Sequence, residues 1–376
     1  MKCTIKDIAR LAGVSPSTVS RVMSGSPRIS GETRARVERI MREAGYQPNQ
    51  LARLLVQRRS NIVAAVLPAA PERALGEPFF FEVLRGITMA ATRAGCHVLL
   101  SAAGPEGEAA CVRALVQGGI AGGILLLRTR EDDAAVAELT AQGFPFALLG
   151  HPAGEDAVNW VDNDNFAAGR AAARHLIGRG CRRLCYCGHS PGFRMSALRL
   201  DGCCEAAREA GLPPPQVIER PAPPEAGPDA GGRVDAETVR AMFAGDGWPS
   251  DGLPGDGWPG DGGPDGVVAE NDLVAAELMT LLRALHLRVP EDVSVVGFND
   301  APLAQLLKPP LTSVNLCPEE LGRRTCELLL DAMDAHSPDG RPLEPRSALV
   351  PFTLIERESV RRGDGQPGGG QAPARA

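Results

Sequence analysis

Residues 4–22, TIKDIARLAGVSPSTVSRV, constrain this chain more than any other stretch. Ile5, Ile8, Ala9 and Ala12 recur at helical spacing and define one apolar face. Gly13 then supplies a residue that tolerates positive φ, as a tight turn between helices requires. Ser15 is placed to cap a second helix, and Pro16 suits its first position. Val14 before that cap and Val19 after it are placed as a hydrophobic staple. Val19, Val22 and Met23 turn inward on the second helix, leaving Pro16, Ser17, Ser20, Arg21 and Ser24 outside. Two short helices about a glycine turn, the second with a small and cationic outer face, have the pattern of a DNA-binding helix-turn-helix. An ordinary helical hairpin would show the same pattern, but two features that follow in the chain outweigh that reading.

A third helix is expected from Ser30-Gly31-Glu32-Thr33 through about Ala44, burying Val37, Ile40 and Met41. The run Gly45-Tyr46-Gln47-Pro48-Asn49-Gln50-Leu51-Ala52-Arg53-Leu54-Leu55 follows it. With Thr4–Val22, this second motif resembles the headpiece signature of the lactose-repressor (LacI/GalR) family of bacterial transcription regulators. The resemblance implies a helix-turn-helix domain over residues 1–47, a hinge helix and linker over 48–61, and a two-lobed body over 62–360. It further implies a homodimer that binds a pseudo-palindromic operator in double-stranded DNA. The stretch Gln50 to about Val56 is too short to be a stable helix alone. By resemblance it folds when two copies meet in the minor groove, where Leu55 matches the wedge that opens a base step.

Charge is distributed to suit that division. Residues 1–60 carry twelve Lys and Arg against four Asp and Glu, a net +8, so the rest of the chain holds −14 of the overall −6. A basic head on an acidic body confines polyanion binding to the head. With no apolar run of membrane-spanning length and no signal-peptide core, a cytoplasmic location and no membrane partner are expected. Ten cysteines are then expected to be reduced. Among them Cys181, Cys185, Cys187, Cys203 and Cys204 have the spacing of packed strand and helix residues rather than of a metal site.

From Ile62 onward, short apolar runs alternate with helical stretches. Strands are expected at Ile62–Leu67, Cys96–Ser101, Gly123–Leu127 and Pro145–Leu149, with helices at Phe79–Ala94, Glu106–Gln117 and Asp132–Gln142. A second series runs from a helix at Ala167–Ile177 to a strand at Val293–Phe298. Such alternation predicts parallel, doubly wound sheets in two α/β lobes, with a ligand at the C-terminal strand ends between them. The resemblance adds a periplasmic-binding-protein-like fold whose chain crosses between lobes near 162, 314 and 348. A Gly/Asp/Trp/Pro-rich insertion at 245–264 and the tail 361–376 read as disordered.

No phosphate loop, nucleophile elbow or metal-ligand spacing is present, so neither enzyme activity nor a cofactor is expected. The chemistry is recognition at two sites. Arg21 can offer paired donors to guanine, Ser17 can donate or accept, and Pro16 can discriminate only by shape or apolar contact. By resemblance, Thr4, Thr18, Ser20, Ser30, Thr33, Tyr46 and Asn49 take positions that touch phosphates and set register. In the cleft, Phe79 and Phe80 are placed to stack on a ring, and Asn163 lies at a lobe crossing. Arg199, Asn271 and Asn299 match the family's ligand-facing positions. His151 stands where several members have an acid, and Asn299 replaces a frequent aspartate. Amides beside an aromatic suit a polyhydroxylated ring, since each hydroxyl both donates and accepts. A repressor controlled by a sugar or sugar derivative is therefore expected; the alternative is a purine-type, co-repressor-dependent regulator. Asn271 could instead simply cap the helix that follows it.

Overall fold

The computed structural model describes residues 4–23, 28–46, 60–67, 76–103, 107–127, 134–152, 158–189, 193–220, 233–244, 263–336 and 344–362. The expected hinge helix with Asn49 and Leu55, the insertion apart from its last residues, and most of the tail lie outside them. The chain divides into two compact units, Met1–Ser60 and Asn61–Ala376.

Among its described residues the first unit holds three helices, α1 (Ile5–Ala12), α2 (Pro16–Met23) and α3 (Gly31–Glu43). Thr4 and Asp7 form a capping box: the Asp7 carboxylate accepts from the Thr4 amide at 3.0 Å, and the Thr4 hydroxyl accepts from the Asp7 amide at 3.4 Å. Gly13 ends α1 at φ +64°, the left-handed conformation expected of it. Ser15 Oγ accepts from the Thr18 amide at 3.1 Å and caps α2, while Ser30 caps α3 through the Thr33 amide. Ile8, Ala9, Ala12, Val19, Val22 and Val37 are buried together. Of the expected stripe on α3 only Val37 is fully enclosed; Ile40 and Met41 are half-buried against the same cluster.

The second unit is built on two six-stranded sheets. Strands β1 (Ile62–Leu67), β2 (His97–Ala102), β3 (Gly123–Leu126), β4 (Phe146–Leu149), β5 (Trp160–Asp162) and β11 (Ser347–Leu349) make the first, in the order β11-β5-β4-β3-β1-β2. The second is β12-β10-β9-β8-β6-β7, from β6 (Leu184–His189), β7 (Gln216–Glu219), β8 (Gly266–Ala269), β9 (Ser294–Phe298), β10 (Thr312–Asn315) and β12 (Thr353–Ile355). Every pairing is parallel except β10 with β12. The chain passes from the first sheet to the second after β5, returns after β10, and passes over again between β11 and β12.

Each sheet carries helices on both faces, because its strands are apolar on both. On the first, α4 (Pro78–Arg93) and α12 (Pro318–Ala335) cover one face; α5 (Glu108–Gln117) and α6 (Ala134–Gln142) cover the other. On the second, α7 (Asn165–Gly178) and α8 (Arg194–Glu209) lie opposite α9 (Ala236–Ala244) and α10 (Asp272–Ala284). A short helix, α11 (Pro302–Leu306), follows β9.

The pairs α4/α12 and α7/α8 touch backbone to backbone through glycines. A Cβ on Gly86 would lie 2.0 Å from the Glu319 carbonyl oxygen, and one on Gly322 would lie 2.0 Å from that of Val83. Likewise Gly169 abuts the Arg199 carbonyl and Gly202 that of Phe166, each at 2.1 Å from the added carbon. The second dovetail fixes the backbone of Arg199.

Sequence reasoning missed α12 entirely, along with α11 and the short strands β5, β10, β11 and β12. Strands of three or four residues carry too little alternation to be seen. In α12 the apolar stripe of Leu321, Cys326 and Leu329 is interrupted by charged residues and a glycine.

Candidate functional site

On α2, Pro16, Ser17 and Arg21 are exposed, whereas Thr18 and Ser20 are half-buried. Their backbone is held by the core beneath, where Val19 is fully enclosed. The Ser15 hydroxyl lies 2.7 Å from that of Ser17 and 2.9 Å from that of Thr18. Thr4 and Ser30 cap helices and give their hydroxyl protons to Asp7 and Thr33, whereas the Thr33 hydroxyl accepts from Ser30 and keeps its own proton for a phosphate. Tyr46 packs partly against the helical core.

In the second unit His151, Asn163, Asn271 and Asn299 follow strands, while Phe79 and Phe80 lie in the first turn of α4 and Arg199 in the second turn of α8. Phe80 does not belong with Phe79 in a cleft: it is 2% exposed, within the core of the first lobe. Adjacent helical positions point about 100° apart, so only one of the two can face outward. Phe79 is the outward one, half-buried and packed against the cores of both lobes. It lines a recess of about 500 Å³ with Glu82 and Arg85 of α4, Asn299 and Asp300 after β9, and Arg323 of α12. Glu82, Arg85 and Arg323 were not anticipated; their helical spacing marks only a solvated face. Arg85 pairs with both Glu82 and Glu319, and Arg323 with Glu320 and Glu327.

Asn163 and Arg199 lie outside the walls of that recess, in a buried polar network. Asn163 donates from its amide nitrogen to the carbonyls of Leu316 (3.1 Å) and Val350 (2.8 Å), tying all three crossings together. Asp162 accepts from the His151 amide at 2.9 Å, the Asn163 amide at 2.7 Å and Asn165 Nδ2 at 2.9 Å. Burial pushes its carboxyl pKa up, against the pull of those donors. The His151 ring lies tilted at 51° against Trp160, with centroids 4.5 Å apart.

Arg199 is 3% exposed. Its Nε donates to Asn165 Oδ1 at 2.9 Å and its Nη1 to the Glu270 carbonyl at 2.7 Å, while the guanidinium lies 4.4 Å above the Phe298 ring. Nη2 has no partner among the described residues and is not sealed from solvent.

Asn271 caps α10, its Oδ1 accepting from the Val274 amide at 2.9 Å; no described group answers its Nδ2. Asn299 sits at φ +96°, and its side-chain amide has no partner among the described residues. Next to it, Asp272 accepts from the Ala301 amide at 2.7 Å and the Ser313 hydroxyl at 2.6 Å. Burial holds its carboxyl pKa up at about 7. Cys185, Cys187 and Cys203 are buried small side chains, and burial pushes the Cys187 thiol up to about 12. No described helix is long and apolar enough to cross a membrane.

Three family models match the chain in series. Residues 4–49 match bacterial regulatory proteins of the lacI family, residues 62–220 the periplasmic binding proteins and sugar binding domain of LacI family, and residues 173–360 a periplasmic binding protein-like domain. The HTH-type transcriptional regulator CelR of Thermobifida fusca is 32% identical over 358 residues, covering 95% of this chain and 98% of that one. The chain belongs to the LacI family. The HTH-type regulator MalR of Staphylococcus xylosus is 28% identical over the same shares of each chain. Among solved structures of the family, a CelR–cellobiose complex matches with a TM-score of 0.65 at 30% identity, over 95% of this chain and 99% of that one. The lac repressor dimer bound to operator and anti-inducer matches in fold with a TM-score of 0.74 at 23% identity, over 96% of this chain and 100% of that one. LacI-family membership thus joins the helix-turn-helix unit and the two-lobed unit in one regulatory architecture.

Proposed function

We propose that this protein is a sequence-specific transcriptional repressor that binds its operator as a homodimer and responds to a sugar held between the two lobes. Residues 1–47 form the DNA-binding part, 48–61 the hinge and linker, and 62–360 the effector-binding and dimerising body. The carrying observation is that one chain combines an exposed, basic second helix with a buried cleft network that leaves polar atoms unanswered. At the DNA, Arg21 reads a base edge, Ser17 and Pro16 tune the fit, and headpiece hydroxyls such as those of Ser20 and Thr33 meet phosphates. In the cleft, Arg199 Nη2, Asn271 Nδ2 and the Asn299 amide contact the ligand, with Phe79 against a ring face. Similarity to a regulator solved with cellobiose supports a saccharide as the ligand class. Phe81 and Met89 on α4 are 57% and 43% exposed and eight residues apart, an apolar face suited to self-association.

The test is selection of binding sites from a random-sequence duplex pool, followed by gel shift with and without cellobiose or maltose. A pseudo-palindromic site whose occupancy changes with sugar is the expected result. No enrichment of any sequence would remove the repressor reading.

A further inference from the structure

The chemistry available to a ligand at Arg199 is set by what the fold has already taken from it. A guanidinium grips a phosphate or carboxylate through two parallel N–H groups on one edge. The Nε/Nη2 edge has lost its Nε to Asn165, and Nη1 gives one of its two hydrogens to the Glu270 carbonyl. Nη2 alone keeps both of its hydrogens. Charge is balanced in the same way. Arg220 pairs with the Glu270 carboxylate at 3.4 Å, and Arg357 with Asp300 at 2.6 Å. Asp162 contributes a further carboxyl group to the field around Arg199. An anion entering this enclosure would be desolvated and meet no cation in excess, which disfavours its binding. A hydroxyl or ring oxygen suits a single N–H donor, and the Asn299 amide can both donate to and accept from neighbouring hydroxyls.

Building on the effector cleft proposed above, we infer that this site admits uncharged saccharides and rejects phosphorylated or carboxylated ones. Asn165, which occupies Arg199 Nε, is the specificity-determining residue. Asn165 is 2% exposed and is itself positioned by the hydrogen bond its Nδ2 donates to Asp162, so the filter is built into the crossing between lobes.

The experiment uses the full chain and matched ligand pairs: glucose with glucose 6-phosphate, maltose with maltose 6-phosphate, and cellobiose with cellobionate. Calorimetry should show the neutral member of a pair binding at least 100-fold tighter than its charged partner. An anionic member that binds as tightly as the neutral one overturns the filter.

A second arm needs no knowledge of the effector. Inorganic phosphate at 20 mM should leave the melting temperature of the wild type where an equal ionic strength of chloride leaves it. In Asn165→Ala, which frees the Nε/Nη2 edge, phosphate should raise it, and Arg199→Ala should abolish that rise. Stabilisation of the wild type by phosphate, lost in Arg199→Ala, overturns the proposal. So does an Asn165→Ala protein that folds yet ignores phosphate. If Asn165→Ala does not fold, the wild-type phosphate arm and the ligand pairs still decide. Failure of every saccharide to bind would sink the sugar reading alone, because the phosphate arm judges the filter independently.

Discussion

The headpiece and the lobe crossings use the same kinds of side chain to opposite ends. In the headpiece, Pro16, Ser17 and Arg21 stand exposed on α2, while six buried apolar residues hold the unit together beneath them. At the crossings, Asp162, Asn163, Asn165, Arg199 and Asp272 are all buried. Their hydrogen bonds join segments remote in sequence; the Asn163 amide alone reaches 153 and 187 residues along the chain. On the proposed function, recognition and folding are separable in the headpiece and merged in the cleft. A residue of the first kind can change without disturbing what holds it, whereas a residue of the second kind cannot.

The largest effect expected from this difference is at Asn163. Replacement by Ala leaves the Leu316 and Val350 carbonyls without their donor in a buried place, and each unsatisfied group costs about 1–3 kcal/mol. Asn163→Ala should therefore destabilise the body by about 2–5 kcal/mol in chemical denaturation, with the headpiece transition unchanged. A loss too small to measure would mean that water replaces the amide, and the merger of folding with recognition at this crossing would be overstated.

The next effect is a pH dependence confined to the body. The Asp272 carboxyl pKa is pushed up from 3.8 to about 7, chiefly by burial. The folded state therefore holds a proton that the unfolded chain has released between those values. Its contribution to stability is fully present below the unfolded pKa and is lost as pH rises through about 7. Between pH 5 and pH 8 the body should lose on the order of 2 kcal/mol relative to Asp272→Asn, in which the titration is absent. Melting curves of the two proteins across that range decide it; parallel profiles would show that Asp272 stays ionised throughout.

The same contrast explains what was legible beforehand. The headpiece could be read almost whole, because capping residues, the Gly13 turn and the apolar stripes are all local signals. The central strands of both sheets could be read as well, being short apolar runs. The cleft could be read only in part. Asn163, Arg199 and Asn271 could be named, but not the fact that the fold itself uses most of their hydrogen-bonding capacity, since Leu316, Val350 and Asn165 are remote or unremarkable in sequence. Phe80 was misplaced because two adjacent phenylalanines do not declare which faces the core. The recess beside Asn299 depends on α12, whose apolar stripe is broken by Gly322 and by arginines that pair along the helix. Glu82, Arg85 and Arg323 therefore gave no sign of sharing one wall.

The smallest change in stability belongs to Arg21, and it tests the other half of the contrast. Arg21 is exposed on α2, so removing its side chain takes nothing from the headpiece core. Arg21→Ala should leave the headpiece melting temperature within error of the wild type. Binding should respond differently. A bidentate contact to a guanine contributes about 1–3 kcal/mol of discrimination, so affinity for the selected operator should fall about 5- to 150-fold while affinity for random duplex falls much less. Salt dependence separates the two roles that an exposed arginine can play. A base contact leaves the slope of affinity against salt nearly as it was, whereas loss of a phosphate contact reduces it by about one unit. Equal losses on operator and random DNA, with a shallower slope, would make Arg21 a positioning contact and pass base reading to Ser17 and Pro16. A fall in headpiece stability would count against separability itself, because it would show that the outer face of α2 also helps to hold the unit together.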